Sequence, residues 1–300
     1  MNLLLTGCIE YTEEQFKILC SLGYNIYFMQ QEKGVLPLPA SEVNVIVCNS
    51  LFLFHNIDDF INLKFIQLTS AGFDRVPMDK IRERQIQLFN ARGVYSIPIA
   101  EWVMFRVLEH YKQGWFFKQK QTDKRWIKHR GLREIAGNQV AIVGAGNIGQ
   151  EVAKRFQVFG AKTVGFDIHT NETPFFHKME LTSSLRKMIG DFDVVVITAP
   201  LLPSTLHLIS YEMLMSMKKN AVLVNIARGG LVDEPSMIDC LQKRSDLFAI
   251  LDVFESEPLI EDSQLWQLEN VAISPHNSFV SDGNNERMFN VIYDNLKMIV

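Results

Sequence analysis

The sequence predicts an α/β protein of two domains built on parallel sheets, and three observations carry that expectation. Its 300 residues exceed one typical domain, and 47% hydrophobic residues supply ample material for cores. From residue 139 onward six β-rich runs, QVAIVG, TVGFD, DVVVIT, AVLVNI, FAILDV and VAIS, are separated by stretches long enough for crossover helices. Near-continuous apolar strands of this kind suit a parallel sheet covered on both faces.

The first ninety residues continue the pattern, with strands expected at 2–6, 25–29, 44–48 and 65–69 and helices at Glu13–Leu22 and 57–63. Gly93 and Pro98 bracket a break before the amphipathic run 99–117, which reads as one long helix along a domain boundary. The most basic segment, 118–135, reads as a loop or solvated surface. A net charge of -4 and a pI near 6.0 offer no cationic field for nucleic acid or an anionic membrane. Cys8, Cys20, Cys48 and Cys240 lack the spacing of a disulfide framework or a structural metal site, which fits a reducing cytoplasm. The opening MNLLLTGCIEYTEEQ has no basic leader, and the longest apolar runs fall well short of a membrane span.

Gly144-Ala145-Gly146-Asn147-Ile148-Gly149 follows the strand Val140–Val143 and opens an expected helix, Gln150–Phe159. That context makes it a dinucleotide-binding turn: Gly144 permits the tight turn, Gly146 clears the approach of a pyrophosphate, and Gly149 permits close helix–strand packing. The helix N-terminus, with Asn147 and Ile148 in the turn that leads into it, points unpaired N–H groups at phosphate. Eighteen residues after Gly149 the next strand ends at Asp167, whose carboxylate can accept both ribose hydroxyls. A 2′-phosphate would meet that charge. His169 is a weak cation for it and no arginine follows closely, so NAD is expected over NADP. Methyltransferases can pair a glycine turn with an acidic ribose contact, so the turn by itself leaves that alternative open.

Several further blocks occur in order: SAGFDRVP (70–77), GVYSIPIAEWV (93–103), ITAPLLPSTLHLI (197–209), MKKNAVLVNIARGGLVDE (217–234), LDVFESEPL (251–259) and ISPHNS (273–278). With the glycine turn they make the chain closely resemble the D-isomer-specific 2-hydroxyacid dehydrogenases over nearly its whole length. The resemblance implies two Rossmann-like domains, with a nucleotide domain (97–279) inserted into an outer substrate domain (1–96 plus 280–300). It also implies a homodimer.

The same resemblance implies the chemistry. Arg228 in NIARGG would hold a 2-keto-acid carboxylate, a task suited to a guanidinium fork. His276 would exchange a proton with the carbonyl or hydroxyl oxygen, and Glu257, immediately before proline, would orient the ring and stabilise imidazolium. Taken without the family, His276 is an ordinary loop histidine and Arg228 a salt-bridge residue. Glu255 is the decoy for Glu257, expected at the surface. Ser70, Ala71 and Gly72 match a carboxylate loop in which the 71 and 72 amides grasp the substrate anion, while Asn49 and Leu51 could wall the same pocket. Ala199, Pro200 and Thr205 match cofactor contacts beside the ribose, with turn formation as their bland role. A carbonyl near Ile226 would meet the nicotinamide ribose and amide, and Asp252 would bond the amide or support the histidine.

Departures from the family pattern lie at 168–180, at 242–247, where QKRSDL replaces a glycine-rich crossover, and in NNERM. None removes a catalytic residue. They bear on subfamily and substrate. Glyoxylate or hydroxypyruvate, pyruvate, 2-ketoisocaproate and phenylpyruvate are all candidates, and a phosphorylated substrate is less attractive for want of a visible extra cationic pocket. A lyase or hydrolase using bound NAD and a redox-sensing corepressor that binds NAD(H) without turnover are the competing readings.

Overall fold

The computed structural model describes residues 1–171 and 173–299. The chain divides into two compact units, Met1–Tyr95 with Ser281–Val300, and Ser96–Val280. Both are α/β units on parallel sheets.

In the first unit β1 (Asn2–Thr6), α1 (Glu13–Ser21), β2 (Asn25–Met29), β3 (Val45–Cys48), β4 (Phe65–Leu68), α2 (Met78–Glu83) and β5 (Gln87–Phe89) follow in turn. The strands pair in the order β2-β1-β3-β4-β5, so the direction of winding reverses between β1 and β3. Alternation sorts the strand residues into two cores. Leu3, Leu5, Val45 and Val47 bury against Leu19 of α1 and against Met288, Ile292 and Leu296 of the C-terminal helix. Leu4, Ile46, Ile66 and Leu68 face Ile57, Phe60 and Ile81 on the other side. With both faces covered, the inner strands β1, β3 and β4 are apolar at nearly every position, which is why they read as continuous runs.

Residues 57–63 do not form the expected helix. Only Ile57–Asp59 makes a single tight turn, started by the Asn56 side chain accepting the Asp58 N–H at 3.1 Å. The edge strand β5 and helix α2 are short and half exposed, and their periodicity is correspondingly faint.

The second unit opens with α3 (Ser96–Tyr111) and α4 (Gly114–Thr122). The expected single helix over 99–117 is therefore two: Pro98 sits within the first turn of α3, where no N–H is needed, and Gln113 takes a left-handed conformation (φ 54) that breaks the run. Within α3, the Arg106 guanidinium lies 5.5 Å from the Trp102 ring centroid and 5.0 Å from that of Trp115, so these aromatics pack on a buried cation.

The unit continues with β6 (Gln139–Val143), α5 (Asn147–Val158), β7 (Lys162–Asp167), β8 (Lys178–Leu181), α6 (Leu185–Met188) and β9 (Val194–Ile197). It ends with α7 (Tyr211–Ser216), β10 (Val222–Asn225), α8 (Glu234–Lys243), β11 (Phe248–Leu251) and β12 (Val271–Ile273), before α9 (Asn284–Met298) returns to the first unit. The sheet order β12-β11-β10-β9-β6-β7-β8 reverses between β6 and β9. This is the doubly wound dinucleotide-binding arrangement extended by one strand.

The QKRSDL departure has a structural role. Arg244 grips Asp246 through Nε (2.8 Å) and Nη2 (2.7 Å) and donates to the Met215 carbonyl at 2.8 Å, clipping the end of α8 to the end of α7. That guanidinium holds the Asp246 carboxyl down at about 2. Among the described residues no helix is long and apolar enough to cross a membrane.

Candidate active site

The glycine turn lies at the reversal point of the second sheet. Gly144 adopts φ +105, and a Cβ there would fall 2.6 Å from the Ala199 backbone nitrogen; one on Gly149 would fall 2.1 Å from the Gly144 oxygen. Strand end, turn and helix are thus pressed together with no room for side chains. Gly146 is different. A Cβ there meets nothing within 4 Å, which leaves an open approach to the N-terminus of α5. Thr198 fixes the turn from β9, its hydroxyl donating to the Gly144 carbonyl at 2.6 Å.

Pairing of Val143 with Phe166 sets Asp167 level with the turn. Its Oδ2 accepts the Ala145 N–H and its Oδ1 the Ile168 N–H, each at 2.7 Å. A carboxylate so anchored keeps lone pairs for further hydroxyl donors. Open approach, exposed helix N-terminus and anchored acid together fit the pyrophosphate and ribose of a dinucleotide. Ala199 is buried against Gly144, and Pro200 is exposed. The Thr205 hydroxyl accepts the Leu202 N–H and donates to the Pro200 carbonyl, both at 2.7 Å, so it closes its own turn. Ile226 is buried at the end of β10.

The residues expected to handle protons come from the carboxyl ends of β11 and β12. His276 Nδ1 lies 2.8 Å from Glu257 Oε2, and Glu257 Oε1 accepts the Phe254 N–H at 3.1 Å. Both side chains are about one-third exposed, at 35% and 37%. His276 is held with φ 49, a region that side-chain-bearing residues seldom adopt and that persists only where surroundings enforce it.

Asp252 is the enforcer. It is completely buried; its Oδ1 accepts the Ser274 hydroxyl and the Asn277 N–H (2.9 Å), and its Oδ2 accepts the Ser278 N–H (2.9 Å). The backbone carbonyl of Asp252 also takes the His276 N–H at 2.7 Å. Expected beside the cofactor amide or behind the histidine, Asp252 is seen to commit its carboxylate to the 274–278 loop.

Arg228 follows β10 in a turn clamped by Asn225, whose side chain accepts the Ala227 N–H (3.2 Å) and donates to the Arg228 carbonyl (3.0 Å). The Arg228 guanidinium donates to the Ala227 carbonyl at 2.7 Å. Next to it, Gly229 packs so tightly on the neighbouring segment that a Cβ would fall 1.8 Å from the Phe254 carbonyl carbon. The glycine therefore brings the arginine turn against the segment leading to Glu257. Sequence reasoning passed over Asn225 and Gly229. The signal for Asn225 was a lone polar residue in an apolar strand, AVLVNI.

Glu255 lies at the surface as expected. It pairs with His207 Nε2 at 3.0 Å, and with Asp233 these groups offer ligand atoms within 4.8 Å of one another.

In the first unit, the carbonyls of the 70–72 turn are engaged: Asn90 donates to Ala71 O (2.6 Å) and Ser70 Oγ to Gly72 O (3.0 Å). Among the described residues no protein acceptor takes the Ala71 or Gly72 N–H. Leu51, expected to wall a pocket, is fully buried in the core instead, because the chain tucks it inward in a tight turn after β3.

Known proteins match this chain throughout. The family model described as D-isomer specific 2-hydroxyacid dehydrogenase, NAD binding domain, matches residues 104–278. Hydroxypyruvate reductase of Thermotoga maritima is 32% identical over 82% of this chain and 81% of its own. D-3-phosphoglycerate dehydrogenase of Methanocaldococcus jannaschii is 31% identical over 79% of this chain, which spans only 46% of that longer protein. A crystal structure of a D-isomer specific 2-hydroxyacid dehydrogenase family protein from Aeromonas salmonicida superposes with a TM-score of 0.82 at 26% identity, covering 99% and 95% of the two chains. The chain belongs to the D-isomer-specific 2-hydroxyacid dehydrogenase family, whose members are NAD(P)-dependent oxidoreductases of 2-keto and 2-hydroxy acids.

Proposed function

We propose that this protein is an NAD-dependent reductase that interconverts a small 2-keto acid and its D-2-hydroxy acid. The observation that carries the reading is the His276–Glu257 pair at 2.8 Å, held in a left-handed loop by buried Asp252. When bound, the nicotinamide dinucleotide supplies or accepts the hydride at C2. In the reducing direction His276 gives its proton to the carbonyl oxygen; in the oxidising direction it takes the proton back from the hydroxyl. Because Nδ1 faces the Glu257 carboxylate, Nε2 is the nitrogen that delivers the proton. Glu257 fixes the ring plane and balances imidazolium charge. Arg228 serves the substrate carboxylate, and in the first unit the Ala71 and Gly72 N–H groups are proposed as anion donors.

The dinucleotide is carried by Gly144, Gly146, Asn147, Ile148 and Gly149, with Asp167 on the adenosine ribose. Ala199, Pro200, Thr205 and Ile226 complete the proposed cofactor contacts, the last toward the nicotinamide, while Asp252 supports the histidine loop. NAD over NADP rests on the Asp167 charge, the homodimer on the resemblance, and the cytoplasmic setting on the cysteine spacing.

The test is initial-rate NADH oxidation, with NADPH in parallel, across glyoxylate, hydroxypyruvate, pyruvate, 2-ketoisocaproate and phenylpyruvate. A positioned acid contributes about 10²–10⁴-fold. H276A is therefore expected to lose that much in kcat while still binding NADH. Saturable NADH binding without turnover on any acid would overturn the reading and favour a redox-sensing corepressor.

A further inference from the structure

A crevice of about 580 Å3 opens on the carboxyl edge of the first unit's sheet, where the strand order reverses between β1 and β3. Open α/β sheets receive ligands at such reversal points. Glu32, in the segment after β2, reaches into this one. Its Oε1 accepts the Asn49 N–H at 2.6 Å and the Thr6 hydroxyl at 2.8 Å, and its Oε2 accepts the Ser50 N–H at 2.6 Å. Two successive backbone N–H groups and a hydroxyl shared between the two oxygens of one carboxylate make an anion cradle, and charge-assisted bonds this short are the strong kind. The anion in the cradle belongs to the chain itself.

The cradle neighbours the 70–72 turn. β3 and β4 pair in register, Cys48 with Leu68, so the turns that follow them leave the same sheet edge on adjacent strands, about 5 Å apart. A 2-keto acid with its carboxylate on the Ala71 and Gly72 amides would therefore have the substituent on its third carbon within reach of Asn49 and Ser50.

We propose that Glu32 is a specificity-determining residue: by filling the cradle with a built-in carboxylate it admits 2-keto acids whose distal end is uncharged and rejects those carrying a second anionic group there. The proposal rests on the 2-keto-acid reductase reading. Two cations also line the crevice, Lys33 and Arg75, the latter donating to Ser50 Oγ at 3.2 Å. Both are exposed, where solvent and salt screen them. A phosphate drawn in by them finds the converging donors taken and meets a like charge, and it gains the cradle only by displacing all three Glu32 bonds.

The experiment compares kcat/KM for hydroxypyruvate and for its 3-phosphate ester in wild type, E32A and E32Q. Wild type is expected to prefer hydroxypyruvate strongly. E32A empties the cradle and should raise the ratio of phosphorylated to unphosphorylated rates at least tenfold, and E32Q, isosteric and neutral, should raise it in the same direction by less. Should E32A fail to fold, E32Q decides. Equal rates on both acids in wild type, or ratios within twofold of wild type in both variants, would overturn the filter while leaving the reductase reading intact. No turnover of either acid, or of the wider panel, would overturn the reductase reading and the filter with it. Calorimetry with inorganic phosphate reads the cradle apart from turnover: binding to E32A and not to wild type is expected, and no binding to E32A overturns the cradle.

Discussion

Asp252→Asn separates two roles for one buried acid. An asparagine in that place keeps a single acceptor oxygen. Its best orientation retains the Ser274 hydroxyl and Asn277 N–H on that oxygen and turns an NH2 group toward the Ser278 N–H. One charge-assisted bond is lost, and a buried N–H faces another donor. The first loss is worth about 1.5–3 kcal/mol and an unsatisfied buried donor about 1–3 kcal/mol. Part of this is recovered by local adjustment, so about 3 kcal/mol is expected. In a unit of this size each kcal/mol moves Tm by about 2–4 °C, so calorimetry should show a drop of about 6–12 °C. Because the loop carries His276, kcat should fall about tenfold or more with the Kd for NADH within about twofold of wild type. A Tm within about 1 °C of wild type would refute the argument that Asp252 pins the loop. A weakened NADH Kd with kcat retained would instead favour direct contact with the cofactor amide.

Gly229→Ala places a methyl 1.8 Å from a backbone carbon, so the Phe254–Glu255 segment must shift; we expect kcat/KM to fall about 100-fold. Gly230→Ala is the control, since its Cβ meets only the flexible ends of Leu201 at 3.3 Å and Leu206 at 3.5 Å. His110 stacks on Phe248 at 3.8 Å, and burial, aided by the Arg133 charge, pushes its pKa down from 6.5 to about 4. Its folded-state pKa lies below the unfolded value, so the unfolded chain binds the proton first. The contribution to stability is complete above pH 6.5 and is lost as pH falls toward 4, by at most about 3 kcal/mol. Denaturant titrations between pH 7 and 4 should show that loss in wild type and not in H110F, which keeps the stacking.

Most strands were legible because each is buried on both faces and so stands out as an apolar run. β5 and β8, with sequences QLF and KMEL, were not, because each is an edge strand carrying polar residues. Helix limits failed where one residue decides. Gln113 in the left-handed region ends α3, and nothing in its local sequence announces that conformation. The glycine turn, Arg228, Glu257 and His276 were legible as contiguous motifs. What supports them was not, since the donors to Asp252 lie 22 to 26 residues away in sequence, and Glu32 reaches Asn49 across 17. Such pairings arise only once parallel strands set distant turns side by side.

The second sheet's order gives its two tasks unequal shelter. The glycine turn grows from β6, which has β7 on one side and β9 on the other, whereas the histidine loop grows from β12, a three-residue strand at the border of the sheet. A border strand loosens before an interior one. On warming, the protein should therefore pass through an interval in which the dinucleotide still docks while proton delivery is already gone, and the width of that interval is set by how firmly Asp252 grips a loop that the sheet itself supports from one side only.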